Sequence, residues 1–185
     1  MIGDGFAEVL AAAQEGSEDA FSRLWLDGNP VLVRYLAVLM PDAAQDIAAD
    51  TWLQVVRRLA AFRGDEQAWR SWLFTIARHR AIDEGRRRTR RPMTALDEMP
   101  EARLPLSPDA ADVAMERSST RSVLALVAQL PALQAEVILL RVVAGLDTEA
   151  VARLMGSSPG AVRVAAHRGL RRLAQILAAE AGVTL

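Results

Sequence analysis

Arginine carries the most obvious chemistry in this chain, and eight arginines gather between positions 70 and 91. The only acids among them are Asp83 and Glu84, so the segment has a strong net positive charge. Guanidinium groups form paired hydrogen bonds with phosphate oxygens, and such a run therefore suits a surface that follows a nucleic-acid backbone. A solvated, charged helix end is the alternative interpretation of the same run.

Residues for catalysis are scarce. The chain has no cysteine, and its two histidines, His79 and His167, stand far apart, neither of them in a metal-ligand or nucleophile–base spacing. An enzyme is therefore the least favoured class, and neither a cofactor nor a metal site is expected. No apolar stretch approaches the roughly 20 residues that a membrane-spanning helix needs, and the N-terminus has no signal-peptide pattern, so a cytoplasmic protein is expected.

The net charge of −1 conceals an alternation along the chain. Segments 1–62 and 92–120 are acidic, with charges of −5 and −4, whereas segments 63–91 and 121–185 carry +5 and +3. Two separate basic surfaces are therefore predicted, and each is a candidate for contact with nucleic acid. The alternation also allows the acidic segments to cover the basic ones within the molecule.

Apolar residues recur at the three- and four-residue spacing of helices through most of the chain, which predicts an all-α fold. Helices are expected within 5–40, where Asp27-Gly28-Asn29-Pro30 predicts a strong stop. The helix predicted over 68–91 has a buried face formed by Trp69, Trp72, Leu73, Ile76 and Ala77.

A long helix is predicted over 42–62, with Ile47, Ala48, Thr51, Val55 and Leu59 facing the core. Its other side mixes acids with Trp52, Leu53 and Val56, and an exposed surface of that kind could dock a partner. A core helix with an ordinary polar side explains the pattern equally well.

Segment 92–115 is rich in proline and acids and shows no helical period, which indicates a flexible or semi-stiff linker. Helices resume at 116–130, with Val123, Leu126, Val127 and Leu130 on one side, and at 131–145. A short helix after Asp147, a turn at Gly156-Ser157-Ser158 and a last helix from Pro159 to about 179 then form a helix-turn-helix pattern.

The last helix of that pattern carries the second basic surface. Val162, Ala166, Leu170 and Leu173 are predicted to pack inward, and the outward side chains are Arg163, Val164, His167, Arg168 and Arg171. The second helix of such a unit enters the major groove, where Arg163 is early enough to read a base and the later arginines suit phosphates. A three-helix packing unit without DNA binding remains the alternative.

Several motifs stand in the order found in one known family. They are DIAADTW at 46–52, FRGD at 62–65, WLFTIARHRAID at 72–83, Leu130-Pro131, Leu140-Arg141, GAVR at 160–163 and His167-Arg168-Gly169. With these motifs the chain resembles the extracytoplasmic-function (ECF) sigma factors of bacterial RNA polymerase, over 6–91 and 116–178. A stand-alone helix-turn-helix regulator, and an adaptor that has lost DNA contact, are the competing interpretations.

The resemblance implies two small helical domains joined by a flexible linker. Residues 1–91 would dock on core RNA polymerase and read the −10 promoter element, 92–115 would thread through the polymerase, and 116–185 would read the −35 element. A separate anti-sigma factor would control the protein, since no further domain is expected after 185. The implied polymerase contacts are Asp46, Asp50, Trp52, Leu53 and Arg57. The implied −10 contacts are Arg63, His79, Arg80, Arg86, Arg87 and Arg90. The implied −35 contacts are Ser158, Ala161, Arg163, Val164, His167, Arg168 and Arg171.

Overall fold

The computed structural model describes residues 2–90 and 120–180, and no strand occurs within these ranges. The first range forms a four-helix unit. Its helices are α1 (Phe6–Gln14), α2 (Glu18–Leu39), α3 (Ala44–Arg58) and α4 (Glu66–Arg90), with short 3-10 turns at Gly3–Gly5, Pro41–Ala43 and Leu59–Ala61. The core face predicted for α3 is confirmed, and so is the buried front of α4, although Trp72 is only half-buried.

The stop predicted at 27–30 is wrong, because α2 runs without interruption through Pro30. Leu24 and Leu32, on either side of the proline, are both fully buried along the same face of the helix. Pro30 itself is exposed, so the carbonyl that its missing N–H leaves unbonded can turn towards water. Burial of the long apolar face therefore outweighs the local preference for a break.

Gly28 allows α2 to approach its neighbours closely. A Cβ atom at this position would lie 3.1 Å from a Leu73 methyl group and 3.2 Å from the ring of Trp52. Next to it, the Asn29 side-chain oxygen accepts a hydrogen bond from Trp52 Nε1 at 3.1 Å. Gly28 and Asn29, which predict a turn in the sequence, therefore allow α2 to pack closely against α3 and α4.

The placement of Trp52 on an exposed surface is also wrong. This side chain is only 6% exposed and lies among Phe21, Trp69 and Gly28, with ring centroids 5.9 Å from Phe21 and 6.4 Å from Trp69. Aromatic rings of this size contribute large buried areas, so Trp52 joins α2, α3 and α4 into one core.

The second described range forms another helical unit. It contains α5 (120–128), α6 (Ala132–Ile138) continued by a π-helical turn (Leu139–Val143), α7 (Thr148–Met155) and α8 (Pro159–Glu180). Val127 and Leu130 are buried as predicted, but Val123 is exposed and Leu124 takes its place against the core. The predicted linker at 92–115 and the start of the helix predicted at 116 lie outside the described residues.

Candidate nucleic-acid interface

The helix-turn-helix of the second unit is formed by helix caps and a turn that involve residues close together in the sequence. The Asp147 side chain accepts a hydrogen bond from the Ala150 amide at 2.6 Å and so caps α7. Gly156 ends the helix in the left-handed conformation, with φ of +62°, which glycine adopts without steric cost. Ser158 then accepts from the Ala161 amide at 3.1 Å at the start of α8. The predicted arrangement is confirmed.

The inner side of α8 packs on α6 more tightly than its apolar pattern indicates. Val162 and Ala165 are buried, and a Cβ atom on Gly169 would lie only 2.6 Å from Ile138 Cδ1. Gly169 therefore permits close helix contact. The prediction that Leu170 packs inward is wrong: the side chain is 53% exposed, because the contact with α6 passes through Gly169 instead.

The outer side of α8, together with Ser158 just before it, presents all seven residues that the sequence assigns to −35 contacts. Each of them is exposed in the described structure. Arg163, His167 and Arg171 follow one another at four-residue intervals, so they share a face of the helix. Arg163 Nη1 lies 3.9 Å from Glu149 Oε1, and both side chains are well exposed. A surface of this kind can present guanidinium groups to a DNA groove without rearrangement.

The basic end of α4 is less free, because several of its arginines are paired with acids. Arg87 and Arg88 both donate to the Glu84 carboxylate, and Arg88 also reaches Asp42 at 3.3 Å. Arg86 is 69% exposed and only loosely paired with Asp83, at 3.8 Å. The hydrogen bonds from Arg87 and then Arg88 lower the pKa of Glu84, so this carboxylate stays charged to lower pH than an ordinary one.

The remaining −10 candidates differ in their freedom to reach DNA. His79 is exposed on α4, whereas Arg80 donates two hydrogen bonds to the Gln54 side chain of α3, at 3.1 and 2.9 Å. Arg63 is exposed, but its guanidinium folds back onto the carbonyls of Ala60 and Phe62. Arg90 ends α4, and its side chain lies outside the described structure.

A polar cleft separates α3 from the end of α4. It has a volume of about 240 Å³ and mixes both signs of charge along its walls. Its charged lining residues are Asp46, Asp50, Arg80, Asp83, Glu84, Arg87 and Arg88. One ion pair in this region, between Arg88 and Asp42 at 3.3 Å, joins the basic segment to the acidic first segment.

The outer face of α3 carries four of the five residues assigned to polymerase contact. Asp46, Asp50, Leu53 and Arg57 are all exposed, and their spacing of four, three and four residues places them in one stripe. Leu53 is 55% exposed, so a large apolar side chain stands in water between charged neighbours. Trp52 lies beneath this face and supports it from the core.

The structure brings together residues that no motif in the sequence pairs. Arg78 Nε lies 2.7 Å from Glu136 Oε1, and Tyr35 Oη donates to the same oxygen at 3.2 Å. Arg70, which the sequence places in the basic run, is buried and pairs with Asp27 at 2.9 Å. These contacts join positions distant in sequence, on separate helices, and no short motif encodes them.

Comparison with known proteins identifies both helical units. The family model for sigma-70 region 2 matches residues 29–91, and that for sigma-70 region 4 matches residues 120–173. The chain is 33% identical to the ECF RNA polymerase sigma factor SigD of Mycobacterium tuberculosis, covering 94% of this chain and 84% of that protein. It is 36% identical to ShbA, an ECF sigma factor of Streptomyces griseus, covering 89% and 91%. The chain belongs to the ECF sigma factor family.

Its function is therefore that of a sigma factor, which directs RNA polymerase to promoters, and the stand-alone regulator is not favoured. Solved structures share the fold of this sigma factor. CnrH in complex with the cytosolic domain of CnrY aligns with a TM-score of 0.64 at 22% identity, covering 95% of this chain and 99% of that one. RpoE of Bartonella quintana, in complex with the anti-sigma factor NepR, gives 0.61 at 22% identity, covering 85% and 96%.

Two kinds of feature do not occur among residues 2–90 and 120–180 of this sigma factor. None of the helices described there has both the length and the apolar character needed to cross a membrane. The same ranges hold no group of three or more histidine or acidic side chains placed to bind a metal ion.

Proposed function

We propose that the two helical units divide promoter recognition between them, with residues 116–185 reading the −35 element and residues 1–91 docking on core polymerase and reading the −10 element. The observation that carries this proposal is the surface of α8 and the preceding Ser158, where all seven assigned residues are exposed while the opposite side of the helix is buried. The protein would act in the cytoplasm, where the polymerase is, and would have no catalytic activity of its own.

At the −35 element, α8 would lie in the major groove. Arg163 stands in the second turn of the helix, which is the part of a recognition helix that reaches base edges. A guanidinium there can donate two hydrogen bonds to guanine. Arg168 and Arg171 lie further along, where phosphate contacts hold the helix in register but carry no sequence information.

At the −10 element, the exposed part of α4 would contact DNA with its strands separated. His79 and Arg86 are accessible without rearrangement, whereas Arg80 must give up its bonds to Gln54 and Arg63 its bonds to backbone carbonyls. Exposed basic side chains near unstacked bases provide the stacking and phosphate contacts that bind single strands.

The stripe of Asp46, Asp50, Leu53 and Arg57 on α3 would dock on the polymerase. An apolar side chain surrounded by charges is a common composition for an interface, because burial of the apolar group contributes affinity and the charges set specificity. Trp52 is excluded from direct contact by its burial and would hold α3 in position.

We also infer that an anti-sigma factor regulates the protein. RpoE was solved with a partner described as an anti-sigma factor, and CnrH with the cytosolic domain of CnrY. These complexes supply the support for the inference, and the partner of this chain would be a separate protein.

In vitro transcription with bacterial core polymerase on a library of promoter fragments tests the proposal. Initiation should depend on the added protein and come from sites that share spaced −35 and −10 elements. Leu53→Asp should abolish both co-elution with core polymerase and initiation, since it places a charge in the docking stripe. Leu26→Asp is a matched control, because Leu26 is also exposed, on α2. Equal activity of the two variants would remove the α3 stripe from its assigned role.

A further inference from the structure

A short turn after α3, at 59–62, leads directly to Arg63, one of the residues assigned to the −10 element. Gln14, the last residue of α1, bonds to this turn: its Nε2 donates to the Leu59 carbonyl and to the Phe62 carbonyl, both at 2.9 Å. Carbonyl oxygens only accept hydrogen bonds, so the amide nitrogen of Gln14, and not its oxygen, must face them. A single side-chain amide therefore bridges the two ends of the 59–62 turn.

The side chain of Arg63 is a second support for the same turn. Its Nη1 donates to the Ala60 carbonyl at 2.8 Å and to the Phe62 carbonyl at 2.6 Å, and the residue is exposed. The Phe62 oxygen thus accepts from both Gln14 and Arg63, which uses both of its lone pairs. The Leu59 oxygen also accepts twice, from Gln14 and from the Phe62 amide at 3.0 Å.

The rest of the segment between α3 and α4 is fixed by packing. The Phe62 ring stacks on Trp72 with ring centroids 5.0 Å apart and meets Trp69 edge-on at 5.6 Å. A Cβ atom on Gly64 would lie 2.7 Å from Ala68 Cβ, so the backbone here approaches α4 too closely for a larger residue. The chain is therefore held on both sides of the arginine, whose own side chain is exposed.

Contact with DNA removes one of the two supports of the turn. Arg63 must release the carbonyls of Ala60 and Phe62 before its guanidinium can reach a base or a phosphate. Ala60 is exposed, so its carbonyl can bond to water instead. The Phe62 carbonyl keeps the bond from Gln14, and the turn keeps a support that does not depend on Arg63.

We propose that Gln14 is a positioning residue for −10 recognition, because its amide holds the 59–62 turn in place when Arg63 leaves the turn to contact DNA. Gln14 precedes the segment 29–91 that matches the sigma-70 region 2 model, so the proposal gives α1 a part in promoter reading. The inference rests on the proposed role of Arg63 at the −10 element.

Removal of the two supports, singly and together, tests the proposal in the full-length protein. Gln14→Met has a similar length but cannot donate a hydrogen bond. In holoenzyme assembled with core polymerase, it should weaken binding of a single-stranded DNA with the −10 sequence, as identified by in vitro transcription. The expected loss is about 2- to 12-fold, the factor that corresponds to one hydrogen bond. In the Arg63→Ala background the same substitution should leave this affinity unchanged, because the turn then has equal support in the free and bound states.

The stability of the protein without DNA should respond in the opposite way. Arg63 still holds the turn in Gln14→Met, whereas the double variant has neither support. The loss of stability that Gln14→Met causes in urea unfolding should therefore be larger in the Arg63→Ala background than in the unmodified chain. A purely structural role for Gln14 predicts equal losses of stability, and equal effects on DNA binding, in the two backgrounds.

Hydrogen exchange of the Phe62 amide reports on the turn itself, since this amide donates to the Leu59 carbonyl. The amide should exchange faster in Gln14→Met, and faster still when Arg63→Ala is added. Gln14→Asn, whose amide is one methylene shorter, should behave as Gln14→Met does. Gln45→Met makes the same substitution at an exposed position of α3, and it should change neither the exchange rate nor −10 binding.

Two results would overturn the proposal. One is an equal weakening of −10 binding by Gln14→Met in both backgrounds, and the other is an unchanged affinity in folded Gln14→Met and Gln14→Asn holoenzymes. Failure of the proposed function looks different. The unmodified holoenzyme would then bind the −10 strand no better than a scrambled strand, or Arg63→Ala would bind it as tightly as the unmodified protein. The exchange rate of the Phe62 amide would still decide whether Gln14 holds the turn.

Discussion

Replacement of the buried Arg70 by methionine should destabilise the first unit strongly. The guanidinium lies 2.9 Å from an Asp27 oxygen, and it also donates to the Ala144 carbonyl at 3.2 Å. Loss of one partner from a buried ion pair costs about 3 to 5 kcal/mol, because the other charge stays withdrawn from water and no longer has this contact. Asp27 is 17% exposed, so water recovers part of that cost, and we expect a loss of about 2 to 4 kcal/mol. Methionine keeps most of the apolar stem, so the change isolates the charged group.

Urea unfolding, monitored by tryptophan fluorescence, measures the free energy of unfolding of the first unit, because all four tryptophans lie between 25 and 72, within that unit. Arg86→Met is the matched control. That side chain is 69% exposed and 3.8 Å from its acid, and exposed pairs contribute only about 0 to 1 kcal/mol. Equal unfolding midpoints for the two variants, at equal slopes, would refute the assignment of Arg70 as a compensated buried charge.

Three further predictions concern the titration, the capping and the DNA contacts of named residues. Burial, followed by the charge of Glu136, raises the pKa of Tyr35 well above its usual 10. The resulting stabilisation is complete below pH 10 and is lost as the pH rises through the folded-state pKa. An ultraviolet titration of this single tyrosine should show the shift, and Glu136→Gln should reduce it. Asp147→Ala should cost about 1 kcal/mol in thermal unfolding through loss of the α7 cap, and no loss would exclude the cap. Arg163→Ala should weaken −35 binding by about 1 to 3 kcal/mol and relax base preference, whereas Arg171→Ala should weaken all sequences alike and lower the salt slope by about 1.

Features that depend on neighbours in sequence were predictable. The helix-turn-helix follows from a capping aspartate, a left-handed glycine and a proline at the start of α8, each of which acts within one turn of the chain. The exposed face of α8 follows from helical spacing, except at Leu170. The same reasoning explains the confirmed core faces of α3 and α4, since periodicity records which side of a helix is apolar.

Features that depend on tertiary packing were not predictable. Pro30 and Gly28 carry strong local signals for a turn, yet burial on both sides of them keeps α2 continuous. Trp52 shares its sequence neighbourhood with exposed residues, and only the position of α2 decides that it lies in the core. Leu170 is displaced from the inner face because a glycine next to it allows closer contact with α6. In each case the competing interaction comes from a distant segment.

The pairing of arginines with acids changes what the basic charge of α4 means for DNA binding. A count of arginines between 70 and 91 treats each one as a free phosphate ligand, but Arg70 is buried and Arg88 is bound by Glu84 and Asp42. A phosphate that engages Arg88 must displace these carboxylates, so the binding gains only the difference between the two contacts. Counterion release is reduced for the same reason, because an arginine that stays paired with a carboxylate neutralises less phosphate charge and so displaces fewer cations from the DNA. The salt dependence of −10 binding should therefore be shallower than the number of arginines on α4 implies. The salt dependence of −35 binding should match the number of arginines on α8 more closely, because that face is more open.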